Sequence, residues 1–157
     1  MSITKLNNLS ISAVTALPSG VGGKVLQVIT ATDSTQRSSS STSFVTISNT
    51  LSVSITPSSA SNKIFIICNS TFGNSSQGQA AKATIFRDAT NLGDTNGMSI
   101  VAPNVYQNTS LSKLDSPNTT SAITYQLYMK SAQATDTTKV NILSSTQSSI
   151  TAFEIKG

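Results

Sequence analysis

The sequence predicts an all-β fold, an antiparallel β-sandwich of jelly-roll type preceded by a short extended N-terminal arm. Three observations carry that expectation. Apolar residues alternate with Ser and Thr in several segments, the period of two that a half-buried strand needs. Turn-forming clusters separate those segments at short intervals, giving roughly nine or ten strands. No stretch keeps a helical period long enough to be read as a helix.

Composition agrees with a single domain. The chain has 157 residues, of which 37 % are hydrophobic and only 10 % charged. Ser and Thr supply about a third of it, far above ordinary usage. The apolar set is rich in Ile, Val, Leu and Phe, so a core can form; a sandwich of this size buries roughly two-thirds of its unfolded surface. Disorder would need low hydrophobicity together with high net charge, and the net charge is +4.

Residues 1–23 differ from the rest. Ile3, Leu6, Leu9, Ile11, Val14 and Leu17 are spaced among Ser, Thr and Asn, and Pro18-Ser19-Gly20-Val21-Gly22-Gly23 breaks regular structure. The segment reads as an arm and hinge, or else as a first strand lying on the sandwich. An apolar arm of this kind suits docking against another chain. The sandwich is expected over residues 24–157.

Lys24 to Ala31 is the first strand, with Val25 and Ile29 on one face and Leu26 and Val28 on the other. Asp33 to Thr42 is a loop or ragged edge strand. Ser43 to Ser48 is a strand. Leu51, Val53 and Ile55 alternate strictly with Ser52, Ser54 and Thr56, and Pro57, which has no N–H to donate, ends that strand. Ser58 to Asn62 is a turn. Ile64-Phe65-Ile66-Ile67-Cys68 is apolar throughout, as for a central strand covered on both faces. Asn69 to Ala80 reads as a polar loop and Ala81 to Thr95 as a hairpin. Asn96-Gly97 is a turn signal, followed by weaker strands at Met98–Ala102 and Val105–Leu114. After a turn at 116–120, Ala122 to Lys130 alternates again, with Ile123, Tyr125, Leu127 and Met129 on one face. Lys139 to Leu143 and Ser149 to Lys156 close the chain, the latter with Phe153 and Ile155 inward and Glu154 outward.

Several kinds of chemistry are excluded or disfavoured. With no histidine, Ser-His-Asp and Cys-His catalysis and histidine-based zinc sites are ruled out. Cys68 is the single cysteine; it can form no intrachain disulfide and reads as a core residue. Glu154 paired with a distant Asp would make a glycosidase dyad only if something positioned the pair, and nothing in the sequence does. Asp88, Asn91 and Asp94 invite a calcium reading, but their spacing departs from the calcium-loop template and a hairpin turn explains them better. Sequons begin at Asn8, Asn69, Asn74, Asn108 and Asn118; in a chain this rich in Asn, Ser and Thr they arise by chance. No two basic residues are adjacent or clustered, so the footprint of a nucleic-acid binder is missing. Met1 to Leu17 lacks the pattern of a secretion signal, and no run has the 18 or so apolar residues that cross a bilayer. Neither an enzyme nor a cofactor or metal protein is expected. Loops rich in Ser, Asn, Gln and Gly with an occasional Tyr suit reversible binding to sugars or protein surfaces. Asn104, Tyr106, Gln107 and Asn108 form one such stretch, with an ordinary loop as the alternative.

Six stretches, in order, carry a family resemblance: ISAVTALPSGVGG at 11–23, GGKVLQVITAT at 22–32, LSVSITPSSASNKIFI at 51–66, IFRDATNLGD at 85–94, LDSPNTTSAITYQLYMKS at 114–131 and SSITAFEIKG at 148–157. Together they resemble segments of tail-fibre and other virion structural proteins of bacteriophages and environmental viruses. The resemblance implies a jelly-roll-like sandwich assembled as a homotrimer on the virion, at the tail or capsid surface. It implies a fibre, spike or decoration subunit for host-surface attachment, made in the host cytoplasm without a signal peptide. On that reading Ile3, Leu6, Leu9, Ile11, Val14 and Leu17 dock to other virion proteins, and Asn104, Tyr106, Gln107 and Asn108 face a host glycan or protein. Nucleic acid and membrane insertion are not implied. The alternative is a stand-alone carbohydrate-binding or adhesin module.

Overall fold

A computed structural model describes residues 24–46, 48–74, 79–141 and 146–157. The arm and hinge, including Ile3, Leu6, Leu9, Ile11, Val14 and Leu17, lie outside the described residues. Within them are twelve strands and no helix: β1 (Val25–Asp33), β2 (Arg37–Ser39), β3 (Val45–Thr46), β4 (Ser52–Ile55), β5 (Lys63–Asn74), β6 (Ala81–Arg87), β7 (Thr90–Asn91), β8 (Ser99–Val101), β9 (Tyr106–Asp115), β10 (Ile123–Ser131), β11 (Thr138–Val140) and β12 (Ser148–Ile155).

The strands pair antiparallel in two sheets. In the first, β5 is flanked on one side by β9 and on the other by β12 and then β11; β1 lies outside β12 and β2 outside β11. In the second, β10 pairs β6 on one side and β4 and β3 on the other, and β6 carries β7 and β8 at its outer edge. The two inner faces make the core. Ile64, Ile66, Cys68 and Phe72 of β5 and Ile150 and Ala152 of β12 meet Val53, Ile55, Ile85, Tyr125, Leu127 and Met129 from the opposite sheet. Each buried Ile, Leu, Val or Met among them contributes on the order of 2 kcal/mol. This is the antiparallel sandwich the sequence predicts. The expected inner face of β10, Ile123, Tyr125, Leu127 and Met129, is buried throughout.

Five details differ from the sequence reading. First, β5 runs six residues past Cys68, because Ser70, Phe72 and Asn74 continue its buried face. Second, β5 is central within its sheet but covered on one face only. Ile64, Ile66 and Cys68 point inward, while Phe65 and Ile67 are half-buried on the outer face. Third, β12 has the opposite phase to the one expected. Ile150, Ala152 and Glu154 face inward, and Phe153 and Ile155 face outward. The strand carries two apolar residues in either phase, and the choice is settled by the polar partners waiting for Glu154. Fourth, β1 bulges between Val25 and Gln27, so Val25 does not share the inner face of Ile29; it is 52 % exposed. The expected strand at Ser43–Ser48 shortens to Val45–Thr46, with Ile47 outside the described residues.

The turn at Asn96-Gly97 forms as predicted. Gly97 N donates to Asp94 O at 3.0 Å, and its φ of 86° is in the left-handed region that favours glycine.

Candidate functional site

The outer face of the first sheet carries an apolar rung. Register places Val28 beside Phe153, Phe153 beside Phe65, and Phe65 beside Leu114, one residue from each of β1, β12, β5 and β9. Val28 and Leu114 are 52 % and 50 % exposed, and the Phe65 and Phe153 rings sit 6.2 Å apart. Leu26 and Ile155 extend the patch toward the start of β1. Away from that end the face turns polar: the next rung is Thr30, Thr151, Ile67 and Ser112, with the two threonine hydroxyls 2.9 Å apart. The exposed lysines Lys24, Lys63 and Lys156 lie at the end where the chain enters β1, with Lys156 N bonded to Lys24 O at 2.8 Å. The outward face of an antiparallel sheet is ordinarily polar, so four apolar residues in one rung make a contiguous apolar patch open to contact.

The residues expected to face a receptor lie at the opposite end of the same sheet. Asn104 turns the chain with φ 55°, and Tyr106, Gln107 and Asn108 begin β9, opposite Gly73, Phe72 and Thr71. All four are exposed, Tyr106 by 39 %. The close approach here depends on Gly73: a Cβ at that position would collide with Val105 O and stand 2.8 Å from Tyr106 Cα. Three of these residues therefore sit on an edge strand rather than in a loop. From Tyr106 to Leu114 is about 26 Å along β9, so the apolar rung and the polar tip occupy opposite ends.

The buried carboxylates are structural. Glu154, 1 % exposed, accepts from Gln27 Nε2 at 2.6 Å, Asn62 Nδ2 at 2.6 Å, Ser58 N at 2.7 Å and Ser58 Oγ at 2.8 Å. The turn after Pro57, closed by Asn62 N donating to Ser59 O, delivers three of these donors. Burial pushes the carboxyl up, but the bonds from Asn62, Gln27 and Ser58 together outweigh it and hold its pKa at about 2. Such a group is ionised at neutral pH and cannot act as a general acid. Asp33 follows the same logic. Burial opposes its charge, yet bonds from Ser48 Oγ, Thr35 N, Thr50 and Arg37 hold it well below the carboxylate range. Asp115 accepts Arg87 Nη1 at 3.0 and 2.9 Å and the Tyr125 hydroxyl at 2.7 Å. Burial first, then the bond to Asp115 and its charge, push the Tyr125 phenol up, so it stays a donor.

Asp88, Asn91 and Asp94 serve their turns. Asp88 Oδ1 accepts from Thr124 N, Asn91 Oδ1 from Thr84 Oγ1 and Gly93 N, and Asp94 Oδ1 from Asn96 N. Among the described residues no group of three or more His, Cys, Asp or Glu is placed to hold a metal ion, and no helix is long and apolar enough to cross a membrane. Cys68 is buried and burial pushes its thiol up to about 12.

The apolar rung was not legible in the sequence, which assigned Phe153 to the core. The signal available was Phe65: a central strand with five consecutive apolar residues has at least two on whichever face the core does not take.

No family model matches the chain, and no curated protein matches it. Solved structures place its architecture among β-folds of viral particles. The crystal structure of the infectious bursal disease virus VP2 subviral particle superposes with a TM-score of 0.52 over 83 % of this chain at 18 % identity. A T=1 particle derived from the same virus gives 0.47 over 83 % at 15 % identity, a looser fit. The chain covers 33 % of the VP2 chain in the first structure and 36 % of the chain in the second. At this identity the likeness is one of fold.

Proposed function

We propose that this chain is a virion structural protein, a fibre, spike or decoration subunit that docks by residues 1–23 and presents its sandwich outward for host-surface attachment. The observation that carries this reading is the fold it shares with part of VP2, the protein of a subviral particle. The polarity of the first sheet supports it. The arm joins the domain at the end bearing the apolar rung, and the exposed Asn104, Tyr106, Gln107 and Asn108 lie at the far end, facing a host glycan or protein. The subunit works as an oligomer, a homotrimer on the resemblance described above, and performs no catalysis.

Deleting residues 2–17 tests this. The shortened chain should still fold cooperatively, since the core of the described residues lies within the sandwich, but should fall at least tenfold in particle-associated copies. Incorporation at the level of the full chain would refute docking through the arm.

A further inference from the structure

We propose that the apolar rung on the outer face of the first sheet is the seat for residues 3–17 of a second copy of this chain. The inference rests on the docking role given to the arm above and names its partner. The rung is Val28, Phe153, Phe65 and Leu114, extended by Leu26 and Ile155.

Shape and size favour an extended segment. Four strands roughly 4.8 Å apart give a stripe about 15 Å long and one to two residues wide, on the order of 200–300 Å². A stable face-to-face interface needs roughly 800 Å² from each partner. A second sandwich laid on this face would have to cover Thr and Ser rungs as well, and a two-fold axis along the strands would bring Lys24, Lys63 and Lys156 near their own copies. The arm suits the stripe better. Between Ile3 and Leu17 its one charged residue is Lys5, and six apolar residues are distributed along it. Fifteen extended residues reach about 50 Å, more than enough to cross four strands.

The place where the described chain begins points to a neighbour. Lys24 enters β1 at the apolar end of the face, and β1 leads away from it. To lie on its own stripe the arm would have to fold back over the outer face from Lys24 and then turn across the strands. A neighbouring copy receives it without that folding back. Arm exchange between copies then covers the apolar rung and links subunits by the same contact.

Cross-linking tests the seat directly. Full-length chains carrying Leu6→Cys, Leu9→Cys or Ile11→Cys are mixed with chains carrying Val28→Cys or Phe153→Cys and oxidised mildly. Cys68 is buried and does not compete. At least one arm–rung pair should give a disulfide-linked heterodimer in at least fivefold excess over the same arm mixed with Thr32→Cys, an exposed site at the polar end of β1. Using two positions on the rung guards against one variant failing to fold. Equal yields with Thr32→Cys, or no heterodimer, would overturn the proposal. So would cross-linking only within one chain when both cysteines are placed together. A Val28→Lys/Phe153→Lys chain separates this idea from the broader reading. It should lose incorporation as the 2–17 deletion does. If it incorporates normally while the deletion does not, the seat is wrong and arm docking stands; if the deletion also incorporates normally, both fail.

Discussion

Replacing Glu154 by Ala should cost about 4 kcal/mol of stability at pH 7, measured by urea or guanidinium unfolding. The carboxylate gathers Gln27 Nε2, Asn62 Nδ2 and both donors of Ser58 into one buried site. Alanine removes an acceptor from each of them: Gln27 Nε2 keeps Thr56 O at 2.8 Å and Asn62 Nδ2 keeps Ser58 Oγ at 3.1 Å, while both Ser58 donors lose their bond to the carboxylate, and each buried unsatisfied group costs about 1–3 kcal/mol before relaxation. The loss also removes the direct side-chain tie between the turn after Pro57 and β12. The same site sets a pH dependence. The carboxyl moves from an ordinary value of 4.5 to about 2 in the fold, so its stabilisation is complete above pH 4.5 and lost as pH falls toward 2. The shift corresponds to about 3 kcal/mol. Asp33, also depressed, adds an acid loss of the same sign. Glu154→Gln keeps the side-chain size but not the charge. It should be less stable than the parent at pH 7 and show a shallower decline between pH 4.5 and 2. An unchanged acid limb in that variant would mean that Glu154 is not the group responsible.

Asp115→Ala should destabilise by about 2–4 kcal/mol. Asp115 ends β9 in the first sheet, while Arg87 of β6 and Tyr125 of β10 belong to the second. The Arg87 Nη1 bonds to both carboxylate oxygens and the bond from Tyr125 therefore tie the two sheets together at one end of the sandwich. Removing the carboxylate leaves a partly buried guanidinium and a fully buried hydroxyl without their acceptor. Tyr125→Phe removes one donor only and should cost about 1–2 kcal/mol. The double variant should be less destabilised than the sum of the two, by about 1 kcal/mol, because both changes delete the same bond. Strict additivity would show that the hydroxyl and the carboxylate act independently.

These two sites show where the sequence could be read and where it could not. The strand pattern was open to view because period-two alternation at Leu51–Ile55 and Ile123–Met129 has a single phase: the apolar residues are all on one side. β12 has no such bias. Ile150 and Ala152 compete with Phe153 and Ile155 for the interior, and the decision falls to Ser58 and Asn62, about 90 residues away in the chain. Buried polar networks pair residues across long separations, so no local pattern announces them. The same holds for Asp115, whose partners Arg87 and Tyr125 read as a hairpin end and a strand tyrosine. The outer apolar rung was hidden for a related reason. It exists only once register aligns Val28, Phe153, Phe65 and Leu114 across four strands. The polar tip was more accessible, because Asn104 to Asn108 carry their surface character in their composition, although Gly73 and β5 are what fix Tyr106 in place.

The central proposal is that this chain is a structural part of a virion. Quantitative mass spectrometry of virus particles purified from cells that express the chain tests it most directly. The account predicts peptides from this chain at a fixed copy number per particle, in a multiple of three, retained through density-gradient banding and high-salt washing. Finding the chain only in the soluble fraction of infected cells, with no fixed ratio to the particle's other proteins, would contradict it.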